Sequence, residues 1–395
     1  MTRPASARFA LFAYGFRPFF LAAGLSAALI VPAWVVMIER GTMPLGVLPP
    51  QLWHAHELFY GFVGAALAGF LLTAVPSWTG AKGFGGRPLA ALAAAWLLGR
   101  LAFAGASSLP FWALAAAELS FLPGVALLLA RPLLRSRNRN APLLIVIALL
   151  WITDAAFLAG LARRDPLLAS GSLRVAIDLM LIVLTLIGGR IVPSFTANAL
   201  RRRGESPEIR SFAWLERAVM ALMVAIAVVD LWRPDGAAAG WLAALVAIAQ
   251  GARLSGWRSL RTRGEAILWV LHLGYAWIPV GFALRALWLL AGAGWAAHWQ
   301  HALTMGAFGT MILAVMTRAA LGHTGRELTV GRVIAAAYVL LTLGVAARVF
   351  APGLWPEQYL RTLVVSGSLW TAAFALYLVV YAPILTLPRA DGKPG

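Results

Sequence analysis

The sequence predicts an all-α, polytopic membrane protein of about twelve transmembrane helices, and three observations carry that prediction. The chain of 395 residues is 61% hydrophobic and only 12% charged, with a mean hydropathy of +0.80. A soluble globular domain carries roughly 25% charged residues, so the bulk of this chain belongs in lipid. Apolar runs long enough to cross a bilayer recur along its whole length, and Arg-rich loops separate them in alternation.

A bilayer core of about 30 Å needs roughly 20 apolar residues per helix. Runs of that kind begin near Phe16, Leu52, Pro88, Phe111, Ala141, Ser172, Phe212, Trp241, Ala266, His298, Val330 and Tyr359. An even number of crossings returns both termini to one side. The alternate loops contain Arg131, Arg135, Arg137 and Arg139, then Arg201, Arg202, Arg203 and Arg210, then Arg253, Arg258, Arg261 and Arg263. The N-terminal tail adds Arg3, Arg8 and Arg17. The opposite loops are sparser in Arg, with Arg40, Arg100, Arg233, Arg348 and Arg361 among their basic residues. Positively charged loops stay cytoplasmic, so both termini are expected there. The opening segment MTRPASARFALFAYGFRPFF is basic, then apolar, and has no small-residue cleavage site before the first run. It reads as a retained first helix. Residues 1–395 are expected to form a single integral-membrane domain.

A net charge of +18 could signal nucleic-acid binding, but these Arg residues sit in short loops between apolar runs, and membrane orientation explains them. The absence of cysteine excludes disulfides, iron–sulfur clusters held by thiolate, and thiolate-ligated haem or copper. Any metal must be held by His, Met, Tyr or carboxylate. A faint internal repeat is also present. Val75-Pro-Ser-Trp-Thr79 closes the second run, Val192-Pro-Ser-Phe-Thr196 the sixth, and Val315-Met-Thr-Arg318 the tenth. Steps of four helices suggest a pseudo-threefold repeat, since membrane folds are often built from internal repeats.

All six histidines lie at or inside these runs: His54 and His56 in WHAHE, His272 in LHLGYAW, His298 and His301 in HWQHALT, and His323 in LGHTGR. Ionisable groups in a bilayer are costly and usually functional, and imidazole is a common ligand for haem iron and copper. The WHAHE and HWQHALT histidines fall at the outer ends of the second and tenth helices; His272 and His323 fall towards the cytoplasm. At about 100° per residue, His54 and His56 point apart and cannot share one metal, whereas His54 and Glu57 share a face. On the tenth helix His298, His301 and Met305 lie along one side. A haem ligated by one histidine from each helix is natural, leaving the second WHAHE histidine for copper, another haem or a propionate. Gly61, Gly64, Gly69, Gly306 and Gly309 would admit a flat macrocycle or a neighbouring helix. The plainer reading is that interfacial His and Trp anchor helix ends at the headgroups, which suits His298 best. Arg190, Arg318 and Arg100 lie nearest the spans. Arg190 needs a partner, either a propionate, which Arg grips in bidentate fashion, or one of Asp178, Asp154 and Glu118.

Six segments together resemble the NnrS family: FRPFF (Phe16 to Phe20), WHAHE (Trp53 to Glu57), GFLLTAVPSWTG (Gly69 to Gly80), GGRIVPSFTAN (Gly188 to Asn198), HLGYAW (His272 to Trp277) and HALTMGAFGTMILAVMTRAALGHTGR (His301 to Arg326). The resemblance implies a twelve-helix protein of the bacterial inner membrane. It further implies haem, with copper as a second candidate metal, and a part in the response to nitric oxide or nitrosative stress. His54, His56, His272, His301 and His323 match its motifs and are the candidate metal ligands. Glu57, Met305, Arg190 and Arg318 are the candidate cofactor contacts, nitric oxide is a candidate ligand, and no catalytic residue is assigned. A looser analogy links the predicted helices 2, 6 and 10 to haem–copper oxidases, but this chain has no histidine on the sixth or seventh helix, and fold-level likeness carries no function. Two other readings stay open: a secondary transporter built from repeats, and a membrane oxidoreductase fed by quinol, with Glu57 and Glu118 guiding protons.

Overall fold

The computed structural model describes residues 9–42 and 48–393; Arg3 and Arg8 lie outside the described residues. Among these the regular structure is helical, with no strand. Twelve helices follow one another: α1 (Phe16–Arg40), α2 (Pro50–Thr79), α3 (Arg87–Ala104), α4 (Phe111–Arg135), α5 (Leu143–Arg163), α6 (Pro166–Arg202), α7 (Ala213–Trp232), α8 (Ala237–Ser255), α9 (Ala266–Ala291), α10 (Gly294–His323), α11 (Arg332–Leu354) and α12 (Pro356–Thr386). All except α7 are long and apolar enough to cross a membrane. Helix α7 is 20 residues long and carries Glu216, Arg217 and Asp230. Two of these charges are met inside the protein, Glu216 by Arg253 of α8 and Asp230 by Arg285 of α9. Pairing of this kind is how ionisable groups are carried at membrane depth.

The described residues within Met1–Ala176, Met316–Leu328 and Phe374–Gly395 form one compact unit, and those within Ile177–Val315 and Thr329–Ala373 form a second. Helices α2 and α10 are the most enclosed by protein. Of their most apolar stretches 78% and 72% is buried, against 33% for α3, α4 and α8. Their composition explains this, because small residues let neighbours approach closely. In the first unit a Cβ at Gly69 would stand 2.8 Å from the Phe20 ring of α1. In the second, a Cβ at Gly306 would stand 2.7 Å from the Trp277 ring of α9, and one at Gly309 would stand 2.5 Å from Trp370 of α12. These glycines therefore receive side chains of neighbouring helices, the second of the two occupants the sequence allows.

Both enclosed helices widen into a π-helix, at Glu57–Val63 in α2 and at Ala302–Gly309 in α10. These are the two π-helical segments among the described residues. The VPSxT repeats share a local device. The Thr79 hydroxyl donates to the Val75 carbonyl at 2.8 Å and the Thr196 hydroxyl to the Val192 carbonyl at 2.9 Å. The first repeat ends α2, where Gly80 takes the left-handed conformation at φ 69°. The second does not end its helix, contrary to expectation. Helix α6 continues to Arg202 and has 37 residues, about 55 Å at 1.5 Å per residue, well beyond a core of about 30 Å.

Several Arg residues that the loop pattern assigns to membrane orientation are buried instead: Arg17, Arg253 and Arg348. Arg17 shows why. Its guanidinium donates to the carbonyls of Ile384, Leu385 and Leu387 at 3.3, 3.0 and 2.8 Å. Carbonyls at a helix C-terminus have no intrahelical donor, and a cation there also complements the helix dipole. Arg17→Met is expected to release the end of α12 and to cost about 2–3 kcal/mol, the scale of a charged hydrogen bond in a buried setting. Thermal unfolding of the detergent-purified protein measures it, and a variant within about 0.5 kcal/mol of wild type would assign Arg17 a merely orienting role.

Candidate metal centres

The tightest constellation of ionisable groups lies in the first unit. His56 on α2 is completely buried. Its Nδ1 lies 3.1 Å from Glu57 Oε1. Its Nε2 lies 3.1 Å from Asp154 Oδ1 of α5 and 3.9 Å from Glu118 Oε1 of α4. Arg100 of α3 donates to Glu57 Oε1 at 2.6 Å and also to Glu118. His56 is walled by the rings of Phe103, Phe157 and Tyr60, with centroids 4.2, 4.4 and 4.9 Å away. The Tyr60 hydroxyl in turn meets Thr153 Oγ1 at 3.0 Å. Two glycines make room for the charged groups. A Cβ at Gly61 would stand 3.2 Å from Arg100 Cδ, and one at Gly99 would stand 2.6 Å from Glu118 Oε2.

The helical-phase expectation holds for His54 and His56. His54 turns to α1 and stacks on Trp34, with centroids 4.0 Å apart and planes at 25°, while His56 faces α4 and α5. Glu57 departs from expectation. Its carboxylate lies against His56, the neighbour on the other side, where Arg100 holds it. Asp154 and Glu118, weighed as partners for Arg190, are engaged by His56 and Arg100. Glu118 was marked as a carboxylate that could guide protons, whereas Asp154 was not, although a lone acid in an apolar run is a functional marker in a membrane by default.

In the second unit His301 is half-buried and immediately precedes the π-helix of α10. The His298 ring lies 6.1 Å away at 64°, and its Nδ1 accepts from Arg348 Nη1 at 3.2 Å. This fixes His298 as a helix-end residue with a protein partner. Met305, also half-buried, would touch a Cβ at Gly344 at 3.4 Å. His272 is buried with both ring nitrogens engaged. Nε2 is 2.8 Å from Thr196 Oγ1 and Nδ1 is 2.9 Å from Ser259 Oγ. Since the Thr196 hydroxyl donates to Val192, it accepts from Nε2–H, and the Ser259 hydroxyl donates to Nδ1. In this arrangement His272 joins α6 to the segment preceding α9, with no lone pair left for a metal. Arg190 is exposed, so the membrane-buried charge expected there is not found.

A second polar network accounts for two further motifs. Arg253 donates to the Thr185 carbonyl at 2.9 Å, to Tyr275 Oη at 2.7 Å and to Glu216 Oε1 at 2.9 Å. Tyr275 Oη donates to Gln250 Oε1 at 2.6 Å. The paired glycines of GGRIVPSF let it form, since a Cβ at Gly189 would overlap Arg253 Nη2 at 1.9 Å. In the first unit, His323 packs against Tyr14 and Phe16, with centroids 6.0 and 5.7 Å away. Arg389 donates to the His323 carbonyl at 2.7 Å and holds the neighbouring Asp391 carboxyl well below the usual carboxylate range. Arg318 is buried in the same unit.

Fold and site together define a polytopic all-α membrane protein with a buried histidine–carboxylate cluster and with histidines set at the entrances of π-helical turns. The family model described as NnrS protein matches residues 10–389, nearly the whole chain, and the chain belongs to that family. No curated protein matches it at a significant level.

Proposed function

We propose that this protein is a haem-binding component of the bacterial inner membrane that serves the response to nitric oxide, with His54 in the first unit and His301 in the second each a residue that would ligate haem iron. The observation that carries this reading is the position of the two histidines. Each lies half-buried on one of the two most enclosed helices, His301 immediately before a π-helical segment and His54 three residues before the other. π-Helical turns are costly and recur at functional sites. The donor chemistry fits: without cysteine, imidazole is the natural ligand for haem iron. Haem iron would supply a position at which nitric oxide can bind. The chain's own part is to orient the ligand imidazoles, as the Trp34 ring does for His54, and to enclose them away from bulk water. Copper is the second metal of this reading. Both termini face the cytoplasm, supported by the Arg-rich loops around Arg201–Arg210 and Arg258–Arg263.

Detergent-purified protein from haem-replete cells is expected to show a Soret band that shifts when nitric oxide is added. His54→Ala and His301→Ala should lose most of the band, while His272→Ala should keep it. Iron and copper per chain are measured on the same samples. A colourless, metal-free preparation would refute the proposal and return His54 and His301 to interfacial anchors.

A further inference from the structure

The geometry points to a non-haem site for a divalent metal ion in the first unit, held by His56 Nε2, Asp154 and Glu118. The three ligand atoms lie within 4.8 Å of one another, and all three residues are buried. Donors bound to one ion at about 2.0–2.2 Å sit about 3–3.5 Å apart. The 3.1 Å from Nε2 to Asp154 and the 3.9 Å from Nε2 to Glu118 are therefore within a side-chain adjustment of coordination.

The surroundings of these donors point the same way. A metal-ligating histidine usually gives its other N–H to a carboxylate that is itself held in place. His56 Nδ1 faces Glu57 Oε1, and Glu57 is fixed by Arg100. With Nδ1–H donated to Glu57, Nε2 faces Asp154 Oδ1, so either a proton on Nε2 or a metal ion lies between them. The charge count agrees. Glu57, Glu118 and Asp154 carry three negative charges against the single guanidinium of Arg100, and a divalent ion beside a neutral imidazole would cancel the remainder. Buried charge without such compensation is strongly unfavourable. Independently, Glu118 is only 4% exposed, and its Oε2 is buried without any hydrogen-bond partner. Arg100 holds Oε1, the oxygen nearer His56, and the unused Oε2 faces Gly99 of α3, so a turn of the carboxylate would bring a free anionic oxygen to an ion beside His56. One imidazole with two carboxylates suits zinc, manganese or ferrous iron, and not cuprous copper, which prefers thiolate and thioether. The inference is independent of haem, because it uses neither His54 nor His301.

The test uses the full-length protein in detergent, stripped with a chelator and then titrated with Co²⁺ as the probe. One tightly held Co²⁺ per chain is expected, with one imidazole and otherwise oxygen donors in its X-ray absorption spectrum. Asp154→Asn and Glu118→Gln should each weaken binding at least tenfold. Glu57→Gln should weaken it about 10- to 100-fold through His56 orientation. A monodisperse elution profile certifies the fold of each variant. Should a variant misfold, the wild-type spectrum still decides, since cobalt without imidazole scattering overturns the site. Retention of neither Co²⁺, Zn²⁺ nor Mn²⁺ by wild type would also overturn it, and would mean that protons balance the cluster. A haem-free preparation that still takes up cobalt would sink the haem reading alone.

Discussion

Arg100→Ala is expected to be the most damaging single substitution in the first unit. It removes the guanidinium that Glu57 and Glu118 share and leaves both carboxylates, with Asp154, facing one another in the protein interior. Breaking a buried ion pair by deleting one partner costs about 3–5 kcal/mol, a large share of the roughly 5–15 kcal/mol that holds a typical protein together. The expected result is a sharply lowered midpoint in a detergent thermal-unfolding assay, or loss of accumulation in the membrane. Arg100→Lys should recover only part of the loss, because an ammonium cannot reproduce the rigid fork that spans two carboxylates. Arg100→Ala combined with Glu118→Gln should recover more, because the repulsion between unpaired anions causes the damage. Equal stability of Arg100→Ala and wild type would show that the cluster does not depend on this cation.

Gly189→Ala should be nearly as harmful in the second unit, although alanine is the better helix former. The added methyl group would occupy the position of the Arg253 guanidinium, 2.3 Å from its Cζ. Arg253 is flexible in isolation but is fixed here by Thr185, Tyr275 and Glu216. Moving it sacrifices one or two charge-assisted hydrogen bonds, on the order of 3 kcal/mol. A double-mutant cycle separates this cause from general crowding. Arg253→Met already gives up those bonds, so adding Gly189→Ala to it should cost clearly less than Gly189→Ala costs alone, a coupling of the size seen for residues in contact. Additive losses would place the damage elsewhere along α6.

Both predictions rest on groups whose importance the sequence registers only faintly. The membrane fold itself was legible, because bilayer thickness sets helix length and apolar composition directly. Helix α7 was expected as a crossing from the apolar run near Phe212, and it forms a helix of 20 residues, but its three charges set it apart from the eleven helices apolar enough to cross. The phase of WHAHE was legible for the same kind of reason: a helix turns about 100° per residue, which sent His54 to Trp34 and His56 the other way. The glycines of α2, α6 and α10 were visible, but what fills the space beside them was not.

The sequence by itself determined the helices, their alternating loop charges, the histidines as the chemically marked residues and the family to which the chain belongs. Only the tertiary structure decided which distant residues share a site. Glu118 and Asp154 come to His56 from separate helices, Arg253 reaches Glu216 and Tyr275, and Arg17 closes the end of α12. The physical reason is that hydropathy and periodicity are properties of one helix, read from neighbours in the chain. Charge pairing in a bilayer is settled between helices, where a buried acid or guanidinium must find its partner wherever packing brings one within reach.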